Sequence, residues 1–247
     1  MNKNGEKVNR EQLRENERCL REYQRGKLDG PKSFDACTTD DEKGRVLRAK
    51  NKTVTQEDRK CDTLEEPPPF AYTGSATVNS AAVEGALALT YEIFGGPPVL
   101  DQRLYTKNED AEAAKCQLEM LNRADKLENT VIREVNKAKR QALKDEDVDS
   151  AAALEAELQD VFSSNDRINR AEGRLLKGVN EKCDDLPAPP DEIFPGECGA
   201  GDPTLRQIEI CVIEATRCEA CLKINAFDDL DFDCDQADDQ VQNGSCP

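Results

Sequence analysis

Eleven cysteines are the residues of this 247-residue chain whose type and spacing could most readily do chemistry: Cys19, Cys37, Cys61, Cys116, Cys183, Cys198, Cys211, Cys218, Cys221, Cys234 and Cys246. Zinc binding would group them as paired CxxC units, but only Cys218-Glu219-Ala220-Cys221 has that spacing, and the chain has no histidine to complete a site. Redox use of that pair would want a βαβ setting, which is absent, so we read it as structural. Disulfides are the better account, and they imply an oxidising compartment. The second candidate is the acidic run Asp228, Asp229, Asp231, Asp233, Asp235, Asp238 and Asp239. Asp231, Asp233 and Asp235 have the alternate-oxygen spacing of a calcium loop. Gln236 stands where the sharp turn wants glycine, and Gln242 where a bidentate glutamate belongs, so a solvated acidic loop is the competing reading. Gly199-Ala200-Gly201 has no phosphate-loop pattern after it and reads as a helix entry. Without histidine no serine or cysteine has its usual base, and carboxylates are too numerous to single out a dyad.

Composition narrows the field further. Lys and Arg number 34 against 51 Asp and Glu, a formal charge of −17. A chain so acidic has no electrostatic reason to sit on phosphates or an anionic bilayer, so we expect no nucleic-acid partner. No apolar run approaches the ~18 residues of a membrane span. Tryptophan is absent, aromatics are 4% and mean hydropathy is −0.77, which favours thin helical layers over a thick core. An enzyme would need a concave pocket that this composition is not expected to build. The segment Met1 to Lys7 has no apolar h-region, so a secreted form would have lost its signal peptide. The sequons at Asn51 and Asn243 are near chance frequency and carry no weight.

The elements that must position these residues are all helical. Residues 9–28 read as a helix with Leu13, Leu20 and Tyr23 on one stripe, ended by Asp29-Gly30-Pro31. Thr39 to Glu42 has capping-box spacing and is expected to open a helix running to about Cys61, with Val46, Leu47 and Val54 on its apolar face. Pro67-Pro68-Pro69 breaks the chain. Ser80 to Phe94 is a short Ala-rich helix expected to be buried, stopped by Gly95-Gly96-Pro97-Pro98. From Asp110 to Lys144 there is no glycine or proline, and Leu118, Leu121, Ala124, Leu127, Val131, Val135, Ala138 and Ala142 recur at helical spacing. That predicts a helix roughly 50 Å long. A polar turn follows at 145–149, with Ser150 as the next N-cap. A second seam, Leu154, Leu158, Val161, Ile168, Leu175 and Val179, has Asn165 and Glu172 at its remaining positions and predicts one long returning helix. The two make an antiparallel hairpin whose apolar stripes face each other.

Part of the pattern repeats. Lys60-Cys61-Asp62-Thr63-Leu64 and Lys182-Cys183-Asp184-Asp185-Leu186 each precede prolines, and Glu92-Ile93-Phe94 recurs as Glu192-Ile193-Phe194. Geometry then constrains the disulfides. The midpoint of Cys116 and Cys183 falls at the turn near 149–150, so in an antiparallel hairpin they lie level, and a bond there is worth about 4 kcal/mol in the chain-entropy model. In the first hairpin Cys19 and Cys61 are roughly 20 Å out of level, so Cys19 pairs instead with Cys37 in the connecting loop. Cys61 is left as the odd thiol, expected either beneath segment 80–94 or at a contact with a neighbouring subunit. In the C-terminal module, Asp202-Pro203 opens a helix to about Ala226 that carries Cys211, Cys218 and Cys221 on one face. Six cysteines allow fifteen connectivities, and Cys198–Cys211, Cys218–Cys246 and Cys221–Cys234 is our choice among them.

The run Cys211-x6-Cys218-x2-Cys221, continuing through Asn225, Ala226, Asp228 and Asp233-Cys234-Asp235 to Asn243-Gly244-Ser245-Cys246, resembles the ending of secreted, cysteine-rich helical-hairpin bacterial proteins of unknown function. Cys19-x6-Gly26-Lys27-Leu28-x8-Cys37 is similar to the hairpin tips of those proteins. The resemblance implies architecture and compartment, and no activity. It also implies a further cysteine before the first hairpin helix, facing Cys61, which this chain lacks.

The expectation is therefore an all-α protein of two antiparallel helical hairpins and a C-terminal disulfide-rich helical module. The segments are hairpin 1 at 1–66, a proline linker with a short apolar helix at 67–108, hairpin 2 at 109–186, and a linker with the C-terminal module at 187–247. The expected role is non-enzymatic, a secreted structural or assembly protein such as a cell-surface or filament subunit, without cofactor, that self-associates or binds protein partners. The expected location is extracellular or at the cell surface, with the periplasm as the alternative. The competing role is a calcium-dependent binding or adhesion module using Asp231, Asp233 and Asp235.

Overall fold

The structure is a computed structural model that describes the whole chain except residues 1, 29–32, 62, 64–71, 98–99, 145–147, 149, 185, 187 and 247. Of the described residues 77% are helical and none lies in a strand, so the protein is all-α. In chain order the helices are α1 (Asn2–Gln24), α2 (Phe34–Asp40), α3 (Arg45–Lys60), α4 (Gly74–Phe94), α5 (Leu100–Arg103), α6 (Ala111–Lys144), α7 (Ala151–Ser164), α8 (Asp166–Cys183), α9 (Pro190–Ile193), α10 (Leu205–Asp228) and α11 (Cys234–Asp238). The Pro67–Pro69 break and most of the 145–149 turn lie outside the described residues.

Helix α1 starts seven residues earlier than its apolar stripe suggests. Its first turns are held by packing, since Gly5 lies against Val78 and Phe227, and Val8 is buried with Val46, Ala49 and Ala82. It also ends earlier, at Gln24. Gly26 is left-handed at φ +61°, the Gly26 N–H donates to the Tyr23 carbonyl at 2.8 Å, and the Lys27 N–H to the Glu22 carbonyl at 2.9 Å. That is a Schellman closure, for which glycine is the least strained residue.

The capping box at Thr39–Glu42 does not open α3. Residues 39 and 40 still belong to α2, and α3 begins at Arg45. Asp41 adopts a left-handed conformation and accepts from the backbone N–H groups of Arg45 (2.8 Å), Val46 (3.2 Å) and Leu47 (2.8 Å). One carboxylate thereby satisfies three free donors of the helix start. The inner face of α3 is Val46, Ala49 and Thr53, while Leu47 is 57% and Val54 41% exposed. Two of the three expected face residues therefore point to solvent.

The expected long helix after Ser150 is two helices. Asn165 leaves helical geometry at φ −76°, ψ 111°, and its side chain accepts from Arg167 N (2.9 Å) and Ile168 N (3.3 Å), so it ends α7 and caps α8. The apolar period survives the break because Leu154, Leu158, Ile168, Leu175 and Val179 are all buried. At the C-terminal module the helix opens at Thr204 rather than at Asp202-Pro203. Thr204 and Gln207 form the reciprocal capping box, with Thr204 N–H to Gln207 Oε1 at 2.9 Å and Gln207 N–H to Thr204 Oγ1 at 3.3 Å.

Helix α4 lies inside the molecule, against α1, α3 and α10, and α6 packs on α1, α7, α8 and α10. Small residues on α4, among them Ala82, Gly85 and Ala86, let the neighbouring helices approach. One apolar core takes in Cys19 and Phe34, Leu89 and Phe94, Leu121 and Val131, Leu158 and Leu175, Ile208 and Ile224, and so runs through all four segments of the chain. The repeated Ile-Phe pairs meet within it. Phe94 and Phe194 stack with ring centroids 6.3 Å apart, and Gly196 N–H donates to the Ile93 carbonyl at 3.2 Å. A Cβ on Gly196 would strike the Glu92 carbonyl, so the close approach of the two copies requires glycine there.

Five disulfides staple this core: Cys19–Cys37, Cys116–Cys183, Cys198–Cys211, Cys218–Cys246 and Cys221–Cys234. Cys61 is free. It sits at the C-terminal end of α3 and is half-buried, so it is not sealed beneath residues 80–94.

Candidate functional site

Three helices that diverge at one side of the molecule leave a cleft of about 600 Å³, which overturns the expectation that this composition builds no concave site. Its volume is within the range of small-ligand sites. Helix α1 contributes Arg10, Leu13, Arg14 and Glu17, which share one face at helical spacing. Helix α6 contributes Asn122, Arg123, Asp125, Lys126, Asn129, Thr130 and Arg133, and α8 contributes Ala171 and Arg174. Six cations thus face two carboxylates, in a chain that overall carries 34 cations and 51 carboxylates.

Three of the cations are ion-paired to carboxylates outside the lining and keep further donors free. Arg14 pairs with Glu11 at 3.1 Å, Arg123 with Glu119 at 2.7 Å and Arg133 with Glu134 at 3.2 Å. Each pair uses one nitrogen of a guanidinium that carries five N–H donors. Arg10 Nε is buried and has no partner among the described residues. Of the two acids, Glu17 accepts from Asn122 and from Arg21, the latter at 2.6 Å.

Asp125 is different. It is 7% exposed, its Oδ1 has no partner among the described residues, and burial together with the nearby Glu17 charge pushes its carboxyl well above the usual range. Lys223 and Lys126 act in the opposite direction. Behind Asp125 lies Lys223, 2% exposed, donating to the fully buried Glu128 with Glu219 4.0 Å away. Burial holds the Lys223 amine well below its usual range. A Cβ on Gly85 would collide with Lys223 Cε, so the lysine is admitted by that glycine. Burial and the neighbouring Glu92 raise Glu219 to about 7.

None of the candidate site residues read from the sequence lines this cleft. Asp231, Asp233 and Asp235 do not converge, and among the described residues no group of three or more acidic or cysteine side chains could hold a metal ion. The Asp231 backbone N–H donates to Glu155 at 3.0 Å. Asp233 caps α11, accepting from Gln236 N at 3.2 Å, and accepts from Gln242 Nε2 at 2.7 Å. Asp235 accepts from the N–H groups of Asn243 (2.7 Å), Gly244 (2.9 Å) and Cys246 (3.2 Å), and these bonds, that from Gly244 foremost, hold it below the usual carboxylate range. Asp228 is buried beside Lys139, Asp229 ends α10, and Asp239 accepts from Val241 N at 2.7 Å. The acidic run is largely a set of local caps around the Cys218–Cys246 and Cys221–Cys234 bonds. Those two bonds also mean that Cys218 and Cys221 are not paired with each other.

Sequence reasoning missed the cleft because a basic residue on one face of an amphipathic helix ordinarily marks a solvated surface. Arg10 and Arg14, or Arg123, Lys126 and Arg133, become one site only once α1, α6 and α8 are assembled. No helix among the described residues is long and apolar enough to cross a membrane. Compared with protein families, with curated proteins and with solved structures, the chain matches none.

Proposed function

We propose that the protein is a non-enzymatic, extracellular binding protein that holds an anionic ligand in the cleft between α1, α6 and α8. The observation that carries this reading is the inversion of charge, six cations against two carboxylates in a chain of charge −17. A cationic concavity with low-dielectric walls concentrates anions locally, whatever the sign of the whole molecule. Binding fits better than catalysis because five of the six cations are arginines, which do not exchange protons near neutral pH. The five disulfides fit an oxidising compartment and give the helices a fixed spacing. The test is thermal melting with millimolar pyrophosphate. We expect a rise in Tm that is absent from the Arg14→Ser/Arg174→Ser double variant, and no rise in the wild type would refute the reading.

A structural or assembly role is the second reading, favoured by the free, half-buried Cys61 at the end of α3. A solvent-accessible thiol under oxidising conditions tends to find a partner. Electron microscopy and non-reducing gels of the native material address it directly. Polymers or disulfide-linked dimers lost on Cys61→Ser would support it, and a monomer throughout would exclude it.

A further inference from the structure

We infer that the ligand of the α1–α6–α8 cleft is an acidic oligosaccharide, a hydroxyl-rich chain bearing carboxylate or sulfate groups. The inference rests on the anion-binding reading above and deepens it.

The first argument is spacing. Arg123, Lys126 and Arg133 run along one helix for ten residues, about 15 Å at 1.5 Å per residue, with Arg10, Arg14 and Arg174 on the other two walls. A single phosphate or sulfate would fill a small part of the roughly 600 Å³ and meet a fraction of these cations. The site fits a ligand whose charges are distributed.

The second is what stands between the cations. Asn129 Nδ2 donates to the Asp125 carbonyl at 2.7 Å, and the Thr130 hydroxyl to the Lys126 carbonyl at 2.8 Å. The Thr130 donor is therefore occupied, while one N–H of Asn129, its Oδ1 and the Thr130 oxygen remain open. Asp125 Oδ1 adds a buried polar atom without a partner among the described residues. Neutral donors and acceptors interleaved with cations suit hydroxyl groups interleaved with acids.

The third is what the lining lacks. Among the described residues, Leu13 and Ala171 are its apolar side chains and none is an aromatic ring on which a base could stack or a peptide anchor could pack.

The experiment is calorimetric titration of the full chain with five probes: a galacturonate tetrasaccharide, a sulfated tetrasaccharide, the neutral maltotetraose, pyrophosphate and an acidic hexapeptide. We expect at least one acidic tetrasaccharide to bind about tenfold tighter than pyrophosphate or the peptide, and the neutral sugar to give no heat. Which of the two binds separates carboxylate from sulfate recognition. The Asn129→Ala/Thr130→Ala variant should weaken the tetrasaccharide about fivefold and leave pyrophosphate unchanged, with circular dichroism verifying that it folds. Equal or tighter binding of pyrophosphate or the peptide would overturn the glycan assignment while leaving anion binding in place. No binding of any anion would remove both.

Discussion

Lys223 and Glu128 form a deeply buried ion pair, as do Lys139 and Asp228, and Asp125 and Glu219 lie beside the lysine. Removing one member of such a pair leaves an uncompensated charge. We expect Lys223→Met to cost about 3–5 kcal/mol in urea unfolding, and Lys223→Met/Glu128→Leu to recover most of it. If the double variant is as unstable as the single one, packing rather than charge dominates there. Glu219, beside this pair, supplies a pH dependence. Its folded-state pKa of about 7 lies above the ordinary carboxylate value of 4.5, so the native state holds the proton more tightly than the unfolded chain. The associated stability is fully present below about pH 4.5 and is lost as pH rises through 7, by about 3 kcal/mol at 1.36 kcal/mol per unit. Glu219→Gln should flatten the stability profile between those two pH values. An unchanged slope would place the titration elsewhere.

The junction between α7 and α8 turns on Asn165. It interrupts an apolar pattern that would otherwise run on as one helix, and its side-chain Oδ1 caps the next. Asn165→Ala is expected to cost about 1 kcal/mol through the lost cap. If α7 and α8 tended to fuse, alanine would stabilise instead, so the sign of the change in a urea midpoint decides. The C-terminal element makes a similar test of the acidic run. Because Asp233 and Asp235 are engaged in capping, we expect millimolar calcium to leave the Tm unchanged, and a clear rise would restore the calcium-dependent module.

One apolar core runs through all four segments of the chain, a second cluster of Val8, Val46, Ala49, Val78, Ala82 and Phe227 joins α1, α3, α4 and α10, and α4 touches both α1 and α10. A shared core predicts cooperative behaviour. Circular dichroism and tyrosine fluorescence should report one coincident urea transition, whereas independently folding segments would give two. The Cys116–Cys183 bond closes a loop of 67 residues across the long pair α6 and α8. Replacing both cysteines by alanine should cost about 4 kcal/mol without removing the helices.

What the residues determined unaided was local or arithmetical. Helical period and the absence of breakers mark out α6 from Ala111 to Lys144. Antiparallel levelling brings Cys116 opposite Cys183, and loop reach brings Cys37 back to Cys19, because both depend only on rise per residue and on a turn between. Helix boundaries were less legible, since Thr39 and Glu42 offered a cap by spacing while Asp41 took it by adopting a left-handed backbone that spacing does not encode. Asn165 looked like one polar residue in an apolar seam, and only packing on α6 made a break there tolerable. The buried amides were invisible for the same reason: Asn16 reaches the Ala86 carbonyl at 3.0 Å and Gln117 the Ile193 carbonyl at 2.8 Å, partners 70 and 76 residues away. The cleft belongs wholly to the tertiary structure. Its cations are scattered over positions 10 to 174, each unremarkable on its own helix, and they become a site because α1, α6 and α8 converge at the core and diverge at its edge.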